Sequence, residues 1–276
     1  MNGIGFSLAE QVCWRGAWIF PLCLLVMSSG MAGSPSPGEE RVFQGIAFAW
    51  IPEGRVAFGT DLPALAGVFP GLREEWVTDE AGRPSYNGGG FWMSRTEITR
   101  GDWKRIVGTE PWRERGDDAR QDDNLPANWV TLDEARAFAK ALGEVEGMVF
   151  RLPMEEEWEY ACRAGTTTVF YFGDDPGPLV EHAWFRGNAP DGAARAVAGL
   201  QPNPWGLFDM LGNVWEWCEG PYGPEGGRES KNETGIVKGG AANQLALFCR
   251  PGARLGRPAG QPGARVGFRV MLAKPR

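Results

Sequence analysis

Residues 206–218 read Gly-Leu-Phe-Asp-Met-Leu-Gly-Asn-Val-Trp-Glu-Trp-Cys. Two tryptophans, Trp215 and Trp217, flank a carboxylate, Glu216, and a second carboxylate, Asp209, stands seven residues upstream. Gly212 and Asn213 lie between them, and both residue types tolerate the left-handed backbone of a tight turn. Such a turn aims main-chain carbonyls inward, towards Asp209 and Glu216. Two carboxylates with carbonyls make an all-oxygen cluster, which suits Ca²⁺ and its 6–8 oxygen ligands. The same residues also suit a buried turn whose acids accept nearby N–H groups.

Outward from this segment, composition narrows the classes. The chain has 276 residues, 43% apolar and 23% charged, as expected of a folded globular body. Its 40 glycines and 21 prolines imply many turns and few long elements. A net charge of −7 argues against a nucleic-acid partner, which wants a basic face. The single histidine, His182, reads as a loop residue and rules out zinc or iron sites built from several imidazoles. None of the five cysteines (Cys13, Cys23, Cys162, Cys218, Cys249) forms a CxxC pair, so zinc-ribbon and thioredoxin readings fail.

Residues 1–33 have the pattern of an export signal: Arg15, the apolar run Ala17–Met27, then small residues. Export predicts a periplasmic or extracellular protein with no stable membrane span once the signal is removed. Residues 34–42 read as a linker, and 43–276 as one domain. Within it, Phe43–Ile51 suits a strand, Arg55–Gly59 a returning strand, and Asp61–Gly90 loop. Phe91–Ile98, Ile236–Gly240 and Val266–Leu272 also read as strands. Three helices are punctuated by their own signals: Thr99-Arg-Gly-Asp102 before the first, Thr131-Leu-Asp-Glu134 before the second, and Pro153 before the third. Glu155–Glu157 read as solvent-facing acids matched to the third helix's dipole. Strands at both ends with helices between them indicate an α+β fold.

The ordered motifs resemble the sulfatase-modifying-factor, or formylglycine-generating-enzyme, family. They are Phe91-Trp-Met-Ser-Arg-Thr-Glu-Ile-Thr, Leu125-Pro-Ala-Asn-Trp-Val-Thr, Arg151-Leu-Pro-Met-Glu-Glu-Glu-Trp-Glu-Tyr-Ala, the 206–218 segment, Val237-Lys-Gly-Gly and Val266-Gly-Phe-Arg. The resemblance implies a C-type-lectin-like fold with a small twisted sheet, few helices and much ordered coil. It also implies a structural Ca²⁺ held by Asp209, Gly212, Val214 and Glu216. A second calcium site of the family needs an Asn after an Ala, but here Trp184 follows Ala183.

In the resembled enzymes, two cysteines five apart, after a Gly-Gly-Ser turn, bind Cu(I) and oxidise a substrate cysteine to formylglycine. Soft thiolates suit that metal. Here the turn is Gly239-Gly240-Ala241, the first cysteine position is Gln244, and the second is Cys249. An amide is neutral, hard and redox-inert, so copper chemistry by that route is not expected. Cys249 remains the candidate catalytic residue for any residual oxidation. Otherwise it is a core thiol, or half of a disulfide with Cys218. The expected function is an exported binding or accessory module for a peptide, protein or glycan. The alternative is an oxidoreductase that converts a protein cysteine to formylglycine or oxidises another peptide. Sulfoxide-synthase chemistry is excluded, because its iron site needs three histidines.

Overall fold

Glu40–Phe43 (β1) and Ile46–Ile51 (β2) form an antiparallel hairpin, which a computed structural model of the chain describes together with the rest of residues 34–80, 85–115, 120–220, 222 and 234–273. The segment expected to be a single strand thus bends at Gln44-Gly45, where φ is 48° and 75°. Two left-handed residues in succession make a turn that matches strand twist. The strand therefore begins inside the stretch read as linker. The export-signal region, with Cys13 and Cys23, lies outside the described residues.

Further along lie Gly54–Val56 (β3), helix Leu62–Val68 (α1), Tyr86–Gly88 (β4) and Phe91–Ser94 (β5). The expected loop at 61–90 thus holds a helix, capped by Asp61 Oδ1 on the Ala64 N–H at 3.2 Å, and a strand that pairs with β3. Its short, mixed residues gave no period to read. Helices Arg100–Val107 (α2), Pro111–Glu114 (α3) and Leu132–Glu146 (α4) follow. Both expected capping boxes form: Thr99 with Asp102, and Thr131 with Glu134. Each such cap is worth about 1 kcal/mol. Helix α4 runs past Gly143 and stops at Gly147, which takes the left-handed cap at φ 66°.

Phe150–Arg151 (β6) leads to helix Glu155–Arg163 (α5), then Leu179–His182 (α6), Ala183–Trp184 (β7), Leu211–Gly212 (β8) and Trp215–Cys218 (β9). His182 closes a short helix, with its ring stacked on Phe172 at 4.5 Å, and is not in a loop. The last strands are Thr234–Lys238 (β10), Arg254–Pro258 (β11), Val266–Gly267 (β12) and Met271–Leu272 (β13). The expected strand 266–272 is therefore two pieces in two sheets. One sheet runs β1-β2-β5-β13-β6 and the other β11-β10-β9-β12, with β12 parallel to β9. Small sheets, few helices and long ordered coil make a mixed α+β architecture.

Helix α5 corrects one expectation. Glu155 is not a solvent-facing acid: it is 3% exposed and pairs with Arg254 Nε at 2.9 Å. Lys238 Nζ lies 3.0 Å from Glu159 and 3.6 Å from Glu155. Arg163 pairs with Glu159 and Arg250 with Glu80, both below the surface. Glu155 read as a surface acid because its partners, Lys238 and Arg254, stand far along the chain from it. Here α5 packs against β10, so the carboxylates enter the interior and must find cations. Replacing Lys238 with Met leaves Glu159 and Glu155 short of a buried partner. The expected loss is about 3–5 kcal/mol, read as a lower denaturant midpoint. A midpoint equal to the parent's would mean that the remaining arginines neutralise both acids.

Candidate functional site

The central segment folds as a chain of left-handed residues: Asp209 at φ 54°, Gly212 at 81° and Asn213 at 54°. Gly212 is required sterically, because a Cβ there would sit 2.1 Å from the Trp184 carbonyl oxygen. Asn213 ties three segments together. Its N–H donates to Trp184 O at 2.8 Å, its Oδ1 accepts the Arg195 N–H at 2.8 Å, and its carbonyl accepts the Ala242 N–H at 2.9 Å. The turn so held delivers Trp215–Cys218 into the sheet, with all four side chains buried.

Glu216 is 0% exposed and receives a two-pronged guanidinium. Arg269 Nε donates to Oε2 at 2.6 Å and Nη2 donates to Oε1 at 2.8 Å. Trp158 Nε1 adds a third bond to Oε2 at 2.6 Å. Asp209 Oδ2 accepts the Ala198 N–H at 2.7 Å. Burial pushes Asp209 up to about 6, with the Glu216 charge adding and Ala198 and Arg269 opposing. Burial works against the Arg269 charge, but the carboxylates of Glu216, Glu97 and Asp209 raise it overall.

Glu97 completes this cluster, and the sequence reading missed it. It is 0% exposed, and neither carboxyl oxygen has a hydrogen-bond partner. Burial first, then the charges of Asp209 and Glu216, hold it well above the ordinary carboxylate range. Its neighbours explain its place. Arg95 O accepts the Phe208 N–H at 2.7 Å, and the Ile98 N–H donates to Phe268 O at 2.9 Å. Glu97 is thereby held between the segments carrying Asp209 and Arg269. The signal available was Glu97 itself, an acid flanked by Thr96 and Ile98 at the end of an apolar strand.

The interior thus holds three carboxylates facing one guanidinium. All available donors are oxygens, and one carboxylate is wholly unpartnered, a set whose chemistry fits a hard cation such as Ca²⁺. Glu216 retains little capacity, since its Oε2 already takes two N–H groups. Among the described residues, no three Asp, Glu, His or Cys side chains converge as a metal cage by themselves. Main-chain carbonyls would have to supply part of any shell.

The redox candidates behave differently. Cys249 follows the short helical turn Ala246–Phe248 and is 0% exposed. It lies under Gly240, where φ is 84° and an added Cβ would come within 2.9 Å of the sulfur. Burial pushes the thiol up to about 12, against the Ala241 N–H and Arg250. A thiol in that state is a poor nucleophile at neutral pH, since the thiolate is the reactive form. Gln244 is half-buried; its N–H donates to Ala241 O at 2.8 Å and its carbonyl accepts the Arg186 N–H at 2.9 Å. The three described cysteines are free and buried. The structure does not join Cys218 to Cys249: Cys218 Sγ instead faces the Glu216 carbonyl at 3.7 Å.

Residues 34–274 match the sulfatase-modifying factor enzyme 1-like domain. The chain belongs to that family. It is 35% identical over 140 residues to the formylglycine-generating enzyme of Mycobacterium tuberculosis, covering 45% of this chain and 44% of that one. It is 31% identical over 188 residues to the inactive C-alpha-formylglycine-generating enzyme 2 of Mus musculus, covering 60% and 56%. The chain thus spans about half the length of the curated relatives it matches. PvdO from Pseudomonas aeruginosa shares the fold with a TM-score of 0.71 at 24% identity, over 87% of this chain and 99% of that one. Treponema denticola variable protein 1 does so with 0.69 at 19% identity, over 85% and 98%.

The buried thiol gives a pH signature. Cys249 stays protonated in the native chain, whereas an unfolded thiol ionises near 9.0. Its contribution to stability is therefore complete below pH 9.0 and is lost as pH rises through about 12. Denaturant midpoints of Cys249→Ala measured across that window should fall less steeply than the parent's. Parallel slopes would show the sulfur to be solvated in the native state.

Proposed function

We propose that this domain keeps the formylglycine-generating-enzyme scaffold without its two-cysteine copper oxidase, and works as an exported binding or accessory module for a peptide, protein or glycan. The observation that carries this reading is the state of Cys249. It is fully buried beneath Gly240, and the position expected for its partner holds Gln244. Copper-driven oxidation needs a thiolate pair that can be reached by metal and substrate. An amide at 244 supplies neither charge nor a redox-active sulfur. The inactive mouse relative supports the reading, because the family includes a protein named as inactive. The named active relatives leave the oxidase alternative open to test.

A structural Ca²⁺ belongs to the proposal. Asp209, the carbonyls of Gly212 and Val214, and Glu216 are its expected holders, and the unpartnered Glu97 adds a further oxygen donor. Such an ion supplies positive charge, and the residues do the rest. Asp209 and Glu97 bring the opposite charge, while Asn213 and Gly212 hold the carbonyl-bearing turn in place. Export of the chain rests on the signal-like pattern of residues 1–33. No described helix is long and apolar enough to cross a membrane.

Two measurements test these parts separately. A cysteine peptide incubated with the protein, Cu(I) and oxygen should show no aldehyde mass shift. Turnover to formylglycine would restore the oxidase reading. Calcium should raise the melting temperature of exhaustively chelated protein, since a ligand of the native state alone stabilises it. Glu97→Gln should shrink that rise, and a melting curve indifferent to calcium would remove the ion from the proposal.

A further inference from the structure

Behind the turn that carries Cys249 and Arg250 lies a partly enclosed cavity of about 180 Å³. At ~30 Å³ per water it has room for about six waters, the scale of one small ring and too little for a peptide. Arg163 and Arg250 line its buried side, while Asp61, Thr167 and Asp174 line its exposed side.

The hydrogen-bond inventory selects the ligand. Arg163 donates from Nε and Nη2 to Glu159, from Nη2 to Gly59 O and from Nη1 to Thr168 O. Arg250 donates from Nε to Leu247 O, from Nη1 to Thr60 and Glu80, and from Nη2 to Glu80. With five N–H groups per guanidinium, each arginine keeps one in reserve among the described residues. On the exposed side, Asp61 Oδ1 takes the Ala64 N–H and Asp174 Oδ1 takes the Val169 N–H. The second oxygen of each acid is left to accept, and the Thr167 hydroxyl can do either.

Charge decides between ligand classes. Arg250 pairs with Glu80, while Arg163 shares Glu159 with Lys238, and the surplus cation is answered by Glu155 and Asp79, which also face Arg254. Asp61 and Asp174 then leave the cavity negative, which disfavours phosphate and carboxylates. The two reserved N–H donors disfavour an ammonium group, which can only donate. Hydroxyl groups both donate and accept, so they satisfy the acids and the guanidiniums together. We propose that this cavity binds a small neutral polyol the size of a single sugar ring. Of its lining groups only Arg250 adjoins Cys249, and the probes and variants below leave both residues unchanged, so the two readings stand or fall separately.

Saturation-transfer NMR on the full chain tests this, with glucose, galactose, mannose and myo-inositol as neutral probes and inorganic phosphate and methylammonium as charged ones. At least one neutral probe should give a saturable signal, and the charged probes none. Asp174→Asn should weaken binding about tenfold, the effect of losing one charge-assisted hydrogen bond. Ala64→Trp, which fills space at the lining of the cavity from α1, should abolish it, with both variants melting as the parent does. Saturation that ignores both variants, binding of a charged probe in place of polyols, or silence from every neutral probe would overturn the proposal.

Discussion

The contact between Glu216 and Arg269 is the fastening on which the remaining architecture depends. Glu216 belongs to β9 in one sheet, and Arg269 sits between β12 of that sheet and β13 of the other. Its Nη1 donates to Ser94 O at 3.0 Å and its Nη2 to Phe208 O at 2.9 Å. Trp158 of α5 completes the carboxylate's shell. One buried ion pair thus connects both sheets, a helix and the turn that carries Asp209. Such a pair contributes little net stability when intact, yet removing one partner strands the other in a medium that cannot solvate it. Its value here is geometric: it fixes which way β12 and β13 leave a shared segment.

Much of this was legible because it is local. The two capping boxes, the turn at Gly212-Asn213 and the family motifs each lie within a dozen residues. The hairpin at Gln44-Gly45 was hidden because glutamine is an uncommon left-handed residue, and apolar residues on both sides made one run. The buried role of Glu155 was hidden for a different reason. Acids in a first helical turn look alike in sequence whether they face water or a lysine from β10. Glu97 shows the same limit, since only the fold brings it beside Asp209 and Arg269.

The glycines at 239 and 240 bear on chemistry as well as on shape. Gly240 at φ 84° lets the backbone close over Cys249, with Phe248 O only 2.6 Å from where a Cβ would stand. The turn is therefore compatible with a sealed thiol. Lys238 immediately before it is 0% exposed and anchored on Glu159. The base of the turn is held by charge and its tip by close packing. The form of the turn thus rests on Lys238, Gly240 and the Phe248 carbonyl rather than on the side chain at 244.

The cluster around Asp209 presents the opposite situation, in which the fold leaves a charge problem for its surroundings. Arg269 answers Glu216, and Asp209 and Glu97 remain. An interior of low polarity does not hold two such anions close together unaided. Either protons neutralise them, or a cation does. A proton would make Glu97 a donor towards the neighbouring carboxylates, while its remaining lone pairs would still need partners. A bound divalent ion would take up the charge and occupy lone pairs of both acids. The unpartnered oxygens therefore weigh for an ion alongside the charge, since one proton serves one carboxyl at a time, whereas an ion would engage both acids and the carbonyls of the turn together.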